Sequence, residues 1–212
     1  MSESPVRQQE RSRLSTARLL DAAAVLIAER GYAGTTLALI GQRAGYSHGL
    51  VSRRFGSKEG LLWALVERYA VAWSHEILSP RLSTLGATDA LHAVIESLRL
   101  SARESTTRMN ALYSLMFQAL QPIPMLREHM QQLHRDDRAF VHDLVERGVR
   151  EGDIDPATDV AAVARLYIGA LRGAAFQALL DPDHVDLDDA FADLHLLIDG
   201  LVPAPGASRR RT

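Results

Sequence analysis

One segment, residues 35–62, constrains this chain more than any other, because its caps and glycines divide it into short helices joined by tight turns. Apolar residues recur at helical spacing before Gly45, which can adopt the left-handed conformation that ends a helix. Ser47 then offers an N-cap for a second helix, which carries cations and closes at Phe55. This pattern predicts a helix-turn-helix that reads DNA, or else a helical hairpin in an all-α core.

Several short motifs recur together in and before this segment. They are Ala44-Gly45-Tyr46-Ser47, Phe55, Ser57-Lys58-Glu59 and Leu61-Leu62, preceded by Arg18, Leu19-Leu20, Ala23, Leu26, Glu29-Arg30-Gly31-Tyr32 and Thr35-Thr36. In these motifs the chain resembles the DNA-binding domain of the TetR family of bacterial repressors. The resemblance covers residues 16–69, and the remainder matches that family only in length and helical character.

The resemblance implies which residues contact DNA. The predicted DNA-binding residues are Thr36, Ser47, His48, Gly49, Leu50, Ser52, Arg53, Arg54 and Lys58. Arg54 matches a family contact position and is preferred over Arg53 for a bidentate pair with guanine. Lys58 matches a family phosphate contact, and Thr36 lies where a helix N-terminus favours phosphate. Four positions depart from the family pattern and alter the expected base contacts: Gly41, His48, Leu50 and Ser52.

Composition limits the classes of protein to which this chain can belong. It has 212 residues and no cysteine, so a disulfide framework and Cys-based zinc sites are excluded. The residues up to His75 hold ten Lys+Arg and six Asp+Glu, a charge of +4, whereas the remainder holds fourteen against twenty, a charge of −6. A basic first third fits a polyanion such as double-stranded DNA.

The sequence carries no sign of a membrane span or of a catalytic centre. Residues 1–13 are polar rather than a signal peptide, and residues 160–180 are interrupted by charge, so we expect a cytoplasmic protein with no membrane partner. Phosphate-cradling, zinc-protease and nucleophile motifs are missing, so we expect no enzyme activity, no cofactor and no metal. The spacing of His129, His134 and His142 does not place all three on one helical face.

Helical periodicity predicts an all-α fold of about nine helices. A three-helix helix-turn-helix domain is expected at 14–57, between a disordered basic arm at 1–13 and a larger regulatory and dimerisation domain at 58–202. A disordered tail is expected at 203–212. Outside the helix-turn-helix, helices are predicted at about 14–30, 58–78, 88–101, 106–120, 125–150, from just after Pro156 to 180, and at 187–201.

The last two predicted helices carry wide apolar faces. In the resembled family these two helices from each subunit form a four-helix bundle, so the resemblance implies a homodimer. The predicted interface residues are Val163, Tyr167, Leu171, Ala174, Ala175, Ala178, Phe191, Leu194, Leu197 and Ile198. The alternative is that these residues form a core within a single chain.

The resemblance also implies a small-ligand pocket among the fourth to seventh helices. Met and aromatic side chains suit an adaptable apolar pocket, although such residues also form ordinary core. The predicted ligand-binding residues are Trp73, Met109, Tyr113, Met116, Phe117 and His129. They indicate an apolar effector and give no sharper identity.

Together these features predict a sequence-specific DNA-binding transcriptional regulator. The leading hypothesis is a homodimeric repressor that a small apolar ligand releases from a palindromic operator. An alternative is an activator or a constitutive regulator without a small ligand, which a ligand screen would distinguish. A further alternative is a helical module that does not bind DNA, which a sequence-selective and salt-dependent gel shift would reject.

Overall fold

The computed structural model describes residues 5–68 and 82–206, with side chains from residue 8 onwards. Within these ranges the chain forms nine α-helices and no β-strand, which confirms the predicted all-α class. The helices are α1 (Pro5–Gly34), α2 (Leu37–Ala44), α3 (His48–Phe55), α4 (Lys58–Val66), α5 (Ala87–Glu104), α6 (Thr106–Gln118), α7 (Pro124–Glu151), α8 (Val160–Leu180) and α9 (Leu187–Leu201). Over the same ranges, no helix combines the length and the apolar character that a membrane span needs.

The observed helices differ from the predicted ones mainly at the N-terminus. α1 begins at Pro5 rather than at residue 14, so residues 5–13 are helical instead of a disordered arm. Pro suits the first turn of a helix, because its fixed φ is already helical and its missing N–H has no partner to lose there. Gly31 has φ 69° and interrupts α1 at the residue where the sequence predicts the end of this helix. The predicted continuation of α4 beyond residue 68 lies outside the described residues.

Residues 5–68 and 107–130 belong to one compact unit. Within it α1 packs against α2 and α4, and α3 also packs against these two helices. The buried apolar residues of these four helices include Leu19, Leu20, Ala23, Leu26, Ile27, Ile40, Val51, Leu61, Leu62 and Leu65. Most of α6 and the first turns of α7 belong to the same unit, so the predicted boundary between residues 57 and 58 does not match this division.

Residues 82–106 and 131–206 belong to the second unit, in which α9 packs against both α5 and α8. Tyr167 of α8 is buried, and its hydroxyl donates to the carbonyl of Leu91 in α5 (2.7 Å). Burial raises the pKa of the Tyr167 phenol, which therefore remains a neutral donor. Phe191 and Ile198 of α9 are buried in the same unit. A hydrophobic centre shared by three helices thus holds α8 and α9 in place.

Local capping fixes where the last two helices begin and where the chain leaves α9. Asp159 accepts a hydrogen bond from Ala162 N (2.9 Å) at the start of α8, and Asp186 caps α9. After α9, the Pro203 carbonyl accepts from Asp155 N (2.9 Å), so the predicted disordered tail begins with an ordered contact. Residues 207–212 of that tail lie outside the described residues.

Candidate DNA-binding site

The turn between α2 and α3 is closed by backbone hydrogen bonds that require a left-handed residue. Gly45 has φ 77° and ψ 30°, and its N–H donates to Gln42 O (3.3 Å). The N–H of Tyr46 donates to Gly41 O (2.8 Å), which completes a Schellman motif at the end of α2. A Cβ added at Gly41 would lie 2.8 Å from Tyr46 O. The tight turn therefore explains why glycine stands at 41, one of the four departures from the family pattern.

Three hydroxyl side chains fix the first residues of α2, α3 and α4. Each accepts a hydrogen bond from a backbone N–H in the first turn that would otherwise lack a partner. The pairs are Thr36 Oγ1 with Leu39 N (3.2 Å), Ser47 Oγ with Leu50 N (3.3 Å), and Ser57 Oγ with Gly60 N (3.1 Å). Thr36 and Ser47, both predicted DNA contacts, therefore act as caps and are still exposed.

One side of α3 faces solvent and the other packs into the unit. Val51 is buried, whereas the predicted DNA contacts on this helix are exposed (His48, Gly49, Arg53) or half-buried (Leu50, Ser52). Ser52 Oγ lies 3.3 Å from His48 Nε2, so these two residues form a polar pair along the helix. A Cβ added at Gly49 would meet nothing within 4 Å, which leaves open space above the backbone there.

Arg54 is tied to α1, although the sequence analysis preferred it as the base contact. Its Nη1 atom donates to Ser12 O (2.6 Å), to Ser15 Oγ (2.6 Å) and to Thr16 Oγ1. These acceptors all bind the Nη1 atom of Arg54, while Arg53 on the same helix is exposed. Arg53 is therefore the more accessible of the two arginines, and which of them contacts a base stays a prediction. This contact could not be predicted because the first helix was expected to begin only at residue 14, which placed Ser12 in a disordered arm.

Lys58 is held against the end of α1 by two contacts with Tyr32. Its Nζ atom donates to the Tyr32 carbonyl and lies 3.9 Å from the centroid of the Tyr32 ring. Burial lowers the pKa of the Lys58 ammonium. The Tyr32 hydroxyl donates to Glu59 Oε1 (3.1 Å), and burial raises the pKa of this phenol. The predicted phosphate contact therefore also connects α4 to α1.

A second link in this unit was not selected from the sequence. Arg43 of α2 forms a two-point pair with Glu29 of α1, with distances of 2.6 Å and 2.9 Å. The hydrogen bond from Arg43 lowers the pKa of the Glu29 carboxyl. Fourteen residues separate the two, so no helical spacing could have indicated the pair.

The predicted ligand residues that the structure describes lie in the first unit, and they differ in exposure. Trp73 lies outside the described residues. The others are Met109 and Tyr113, which are buried, Met116 and His129, which are half-buried, and Phe117, which is exposed. His129 of α7 stacks on Trp63 of α4, with ring centroids 4.1 Å apart and planes at 19°. Trp63 is thus an aromatic partner that the sequence analysis did not select.

The predicted dimer-interface residues lie on the buried side of α8 and α9. Nine of the ten are at most 9 % exposed in the single chain, and Leu197, at 46 %, is the exception. This matches the alternative that the sequence left open, a core within one chain. Sequence could not separate the two alternatives because α8 is apolar on both sides, and the interface itself stays a prediction.

The opposite side of the same two helices is exposed and apolar. Leu166 and Leu180 of α8 and Leu196 of α9 are all exposed. Gly169 and Gly173 face open space, because a Cβ added at either would meet nothing within 4 Å. A cleft of about 580 Å³ lies beside this surface, between α8 and α9, and its lining includes Gly173, Gln177, Asp193 and Leu197.

The remaining histidines of the sequence analysis lie in separate surroundings. Arg172 Nη1 donates a hydrogen bond to the His134 ring and lies 2.8 Å from its Nε2 atom. Burial, with Arg172 adding to it, lowers the pKa of His134 to about 4. His142 has Asp143 and Glu146 beside it, the one trio of potential metal ligands found within 4.8 Å across the described residues. Both carboxylates of that trio are exposed, and such groups are common without an ion.

Two family models match the chain. The model of the bacterial regulatory proteins of the TetR family matches residues 19–65, which contain α2, α3 and most of α4. The model described as the C-terminal part of BetI-type transcriptional repressors matches residues 87–203, more than half of the chain. The two matches together cover most of the described residues of both compact units.

Relatives with matching sequence are transcriptional regulators. BetI of Paraburkholderia xenovorans (strain LB400), an HTH-type transcriptional regulator, is 54 % identical over 48 residues, 23 % of this chain and 25 % of BetI. Matches to the first BetI proteins span only 24–35 % of their length. A probable HTH-type transcriptional regulator of Pseudomonas putida, ArpR, is 27 % identical over 186 residues, 85 % of this chain and 88 % of ArpR.

The fold is shared with solved regulators. SmeT, the repressor of the Stenotrophomonas maltophilia multidrug efflux pump SmeDEF, is 26 % identical with a TM-score of 0.73, over 88 % of this chain and 89 % of SmeT. SmeT has also been solved in complex with triclosan. With its capped helix-turn-helix and these matches, the chain belongs to the TetR family of bacterial regulatory proteins.

Proposed function

We propose that this regulator is a cytoplasmic homodimeric repressor that an apolar small molecule releases from a palindromic operator. The observation that carries the proposal is the closed α2–α3 turn, which holds α3 with one side buried and the other open to a DNA groove. The repressor role is supported by the description of the BetI-type C-terminal model and by the likeness to SmeT, itself a repressor.

In this proposal α3 enters the major groove with His48, Gly49 and Arg53 toward the base edges. Arg53 takes the base-reading role, because its side chain is exposed while that of Arg54 is occupied by α1. A guanidinium can pair with guanine O6 and N7, and the small Gly49 allows the backbone to approach. Thr36 and Lys58, at the starts of α2 and α4, contact phosphates on either side.

The homodimer forms through the exposed side of α8 and α9, which keeps Leu197 from the residues first predicted and replaces the nine buried ones. This surface includes Leu166, Gly169, Gly173, Leu196 and Leu197. An exposed apolar surface of this kind favours association, and two glycines without a neighbour allow a second helix to approach closely. A two-fold dimer presents two helix-turn-helix heads (residues 35–62 of each chain) to DNA half-sites about 34–36 Å apart, or a multiple of that.

The effector site belongs to the first unit and includes the stacked pair of Trp63 and His129. Met109, Tyr113 and Met116 supply apolar and polarizable surface in the same unit. The proposal of a ligand draws on SmeT, which has been solved with triclosan. A ligand releases DNA only if it binds more tightly to the state whose heads misfit the operator.

Selection of bound sequences from a random DNA pool tests the proposal directly. We expect a palindromic consensus whose binding weakens steeply with salt. Sedimentation of the complex should show two protein chains bound to each DNA duplex. The matched variants Arg53→Ala and Arg165→Ala each remove one exposed cation, from α3 and from α8 respectively, and only the first should weaken selection of the consensus. A pool that shows no enrichment would overturn the DNA-reading proposal.

Repression and ligand release require two further measurements with the selected operator. A promoter carrying the operator should be less active in the presence of the protein, and an increase would instead identify an activator. A thermal-shift screen of apolar compounds should yield binders that also release the operator in a gel shift. If the binders stabilise the protein yet leave the complex intact, the protein represses without ligand release.

A further inference from the structure

Two histidines lie between α5 and α9 with ring nitrogens directed at each other. His92 Nδ1 and His195 Nδ1 are 2.6 Å apart, and the ring centroids are separated by 4.8 Å. The outer nitrogens each meet a carboxylate: His92 Nε2 lies 3.0 Å from Asp199 Oδ1, and His195 Nε2 lies 3.0 Å from Glu96 Oε1. The four side chains therefore form one polar chain, Asp199–His92–His195–Glu96, across the two helices.

This chain has more hydrogen-bond contacts than two neutral rings have protons. An ionised carboxylate only accepts, so Asp199 and Glu96 each require an N–H from the adjacent ring. The contact between the two Nδ1 atoms requires a third N–H. Because a neutral imidazole carries one N–H, the three contacts need one ring to be protonated on both nitrogens. We propose that His92 and His195 share one additional proton in the folded protein, and that this proton joins α5 to α9.

The surrounding charges favour a cation at this position. Asp199 and Glu96 place negative charge at both ends of the histidine pair. The Arg99 guanidinium lies at the Glu96 end, where it donates to Glu96 Oε2 (2.8 Å) and to Asp188 Oδ1 (2.7 Å) and offsets part of the charge of that carboxylate. Arg103 also pairs with Asp188 (2.9 Å). The hydrogen bond from Arg99 is the main cause that lowers the pKa of the Glu96 carboxyl, so this group is ionised and accepts hydrogen bonds.

Neutral packing from α8 completes the environment of the pair. The Tyr167 hydroxyl donates to Leu91 O, next to His92 in the chain, and burial keeps this phenol uncharged. The histidine side chains are only 24 % and 28 % exposed for His92 and His195. Partial burial beside two carboxylates strengthens the attraction between the shared proton and these charges.

The short distance between the nitrogens fits a proton rather than a metal ion. Nitrogen ligands lie about 2.0–2.1 Å from Zn²⁺, so two of them on one tetrahedral ion are separated by roughly 3.3 Å. The observed 2.6 Å between His92 Nδ1 and His195 Nδ1 is clearly shorter. It is slightly shorter than the 2.7 Å at which the usual range for N–H donors begins, and a donor that carries a charge shortens a hydrogen bond in this direction.

The shared proton makes the stability of this unit depend on pH. The imidazoles of the unfolded chain lose their second proton near the ordinary pKa of about 6.5. Above that pH, a folded pair that retains the proton binds more protons than the unfolded chain, so stability falls as pH rises. The contribution is therefore largest at about pH 6.5, where the two unfolded imidazoles together carry about one extra proton. At lower pH they bind two protons against the single proton of the folded pair, so stability falls there too, and at higher pH the contribution is lost when the folded pair releases its proton.

Proton counting by NMR on the full-length protein tests the proposal without any substitution. Long-range ¹H–¹⁵N spectra of the histidine rings should show three N–H protons on the pair at pH 7. His184 supplies the comparison, because its side chain is 80 % exposed and its Nδ1 atom lies 2.8 Å from Asp181 Oδ1 in the same turn. Two ordinary imidazoles would approach four N–H protons at pH 6 and two at pH 8. A pair that behaves in this way, instead of holding three across that range, would overturn the proposal.

Matched variants test the consequence for stability. With EDTA present, the wild type should lose about 2–4 °C more in Tm between pH 6 and pH 8 than His92→Gln or His195→Gln. His184→Gln should retain the wild-type pH dependence. An identical pH dependence in wild type and both pair variants would contradict the shared proton. A stabilisation of the wild type that requires added Zn²⁺ and disappears with EDTA would assign the two nitrogens to a metal instead.

Discussion

The helix-turn-helix and the α8–α9 hairpin are both pairs of helices, but different interactions define them. In the first, two eight-residue helices are fixed at their ends by Thr36, Ser47 and the left-handed Gly45. In the second, helices of 21 and 15 residues are fixed along their length by buried side chains such as Tyr167 and Phe191. The helix-turn-helix is therefore determined by backbone hydrogen bonds at helix ends. The α8–α9 hairpin is determined by which side of each helix is buried in the core.

This difference decides how each region can carry function. Caps leave the outer side of α3 unconstrained, so His48, Gly49 and Arg53 are available for a DNA groove. In α8, most of the large apolar side chains are buried, so the surface available to a partner includes Leu166, Leu180 and small residues. A substitution on the buried side of α8 should therefore affect folding, and one on the exposed side should affect association.

The largest expected effect comes from placing a charge on each side of the α8–α9 hairpin. Leu171→Glu should reduce the free energy of unfolding by about 3–5 kcal/mol, the range for an uncompensated buried charge, because Leu171 is buried. Leu197→Glu, on the exposed side, should leave the chain folded and yield monomers. Urea unfolding and sedimentation velocity measure the two effects. A folded monomeric Leu171→Glu protein would place the dimer surface back on the buried side.

The next effect separates the two neighbouring arginines of α3. Arg53→Ala should weaken specific DNA binding by about 1–3 kcal/mol and relax specificity at one base pair. Arg54→Ala should instead lower the free energy of unfolding by about 1–2 kcal/mol, because Ser12 O, Ser15 and Thr16 lose a charged donor. Binding to the selected operator and to scrambled DNA, with chemical denaturation in parallel, distinguishes the two roles. The assignment fails if Arg54→Ala is as stable as wild type and alone loses specificity.

The features that could be predicted from the sequence are the turns and helix caps, because each depends on residues that are close together in the chain. Gly45, Ser47 and Ser57 act within a few residues of themselves, so the turn and the starts of α3 and α4 follow directly from the sequence. Arg54 reaches an acceptor 42 residues away, and no local pattern contains that contact. The side of α8 that is buried likewise depends on α5 and α9, which supply its partners.

A smaller effect tests the claim that backbone chemistry defines the head. Gly45→Ala should lower the free energy of unfolding by about 1–2 kcal/mol, the cost of a left-handed conformation for a residue with a Cβ. Gly49→Ala, within α3, should stabilise the helix by about 0.5–1 kcal/mol, because alanine loses less backbone entropy. Denaturation curves of both variants measure the difference. Equal stability of Gly45→Ala and wild type would mean that the Schellman turn is not required.

Gly49→Ala gives a second measurement, because the added methyl meets nothing within the protein. If the backbone of α3 approaches the bases closely, operator binding should weaken even though the fold becomes more stable. If operator binding is unchanged, the groove-facing role of position 49 is excluded and glycine there has no effect beyond the helix itself.

The smallest effect concerns Lys58, the position where folding and DNA contact overlap. Its ammonium is bound to the Tyr32 carbonyl and lies over the Tyr32 ring, so the side chain has a structural partner before any DNA arrives. If Lys58 also contacts phosphate, Lys58→Ala should lower the slope of log K against log salt by about 0.9 per head, or roughly two for a dimer. Arg165→Ala, which removes an exposed cation from α8, should leave the slope unchanged. A weaker complex with an unaltered slope would mean that Lys58 serves DNA binding only by holding α4 against α1. Lys58 would then be a structural residue of the helix-turn-helix unit and not a phosphate contact.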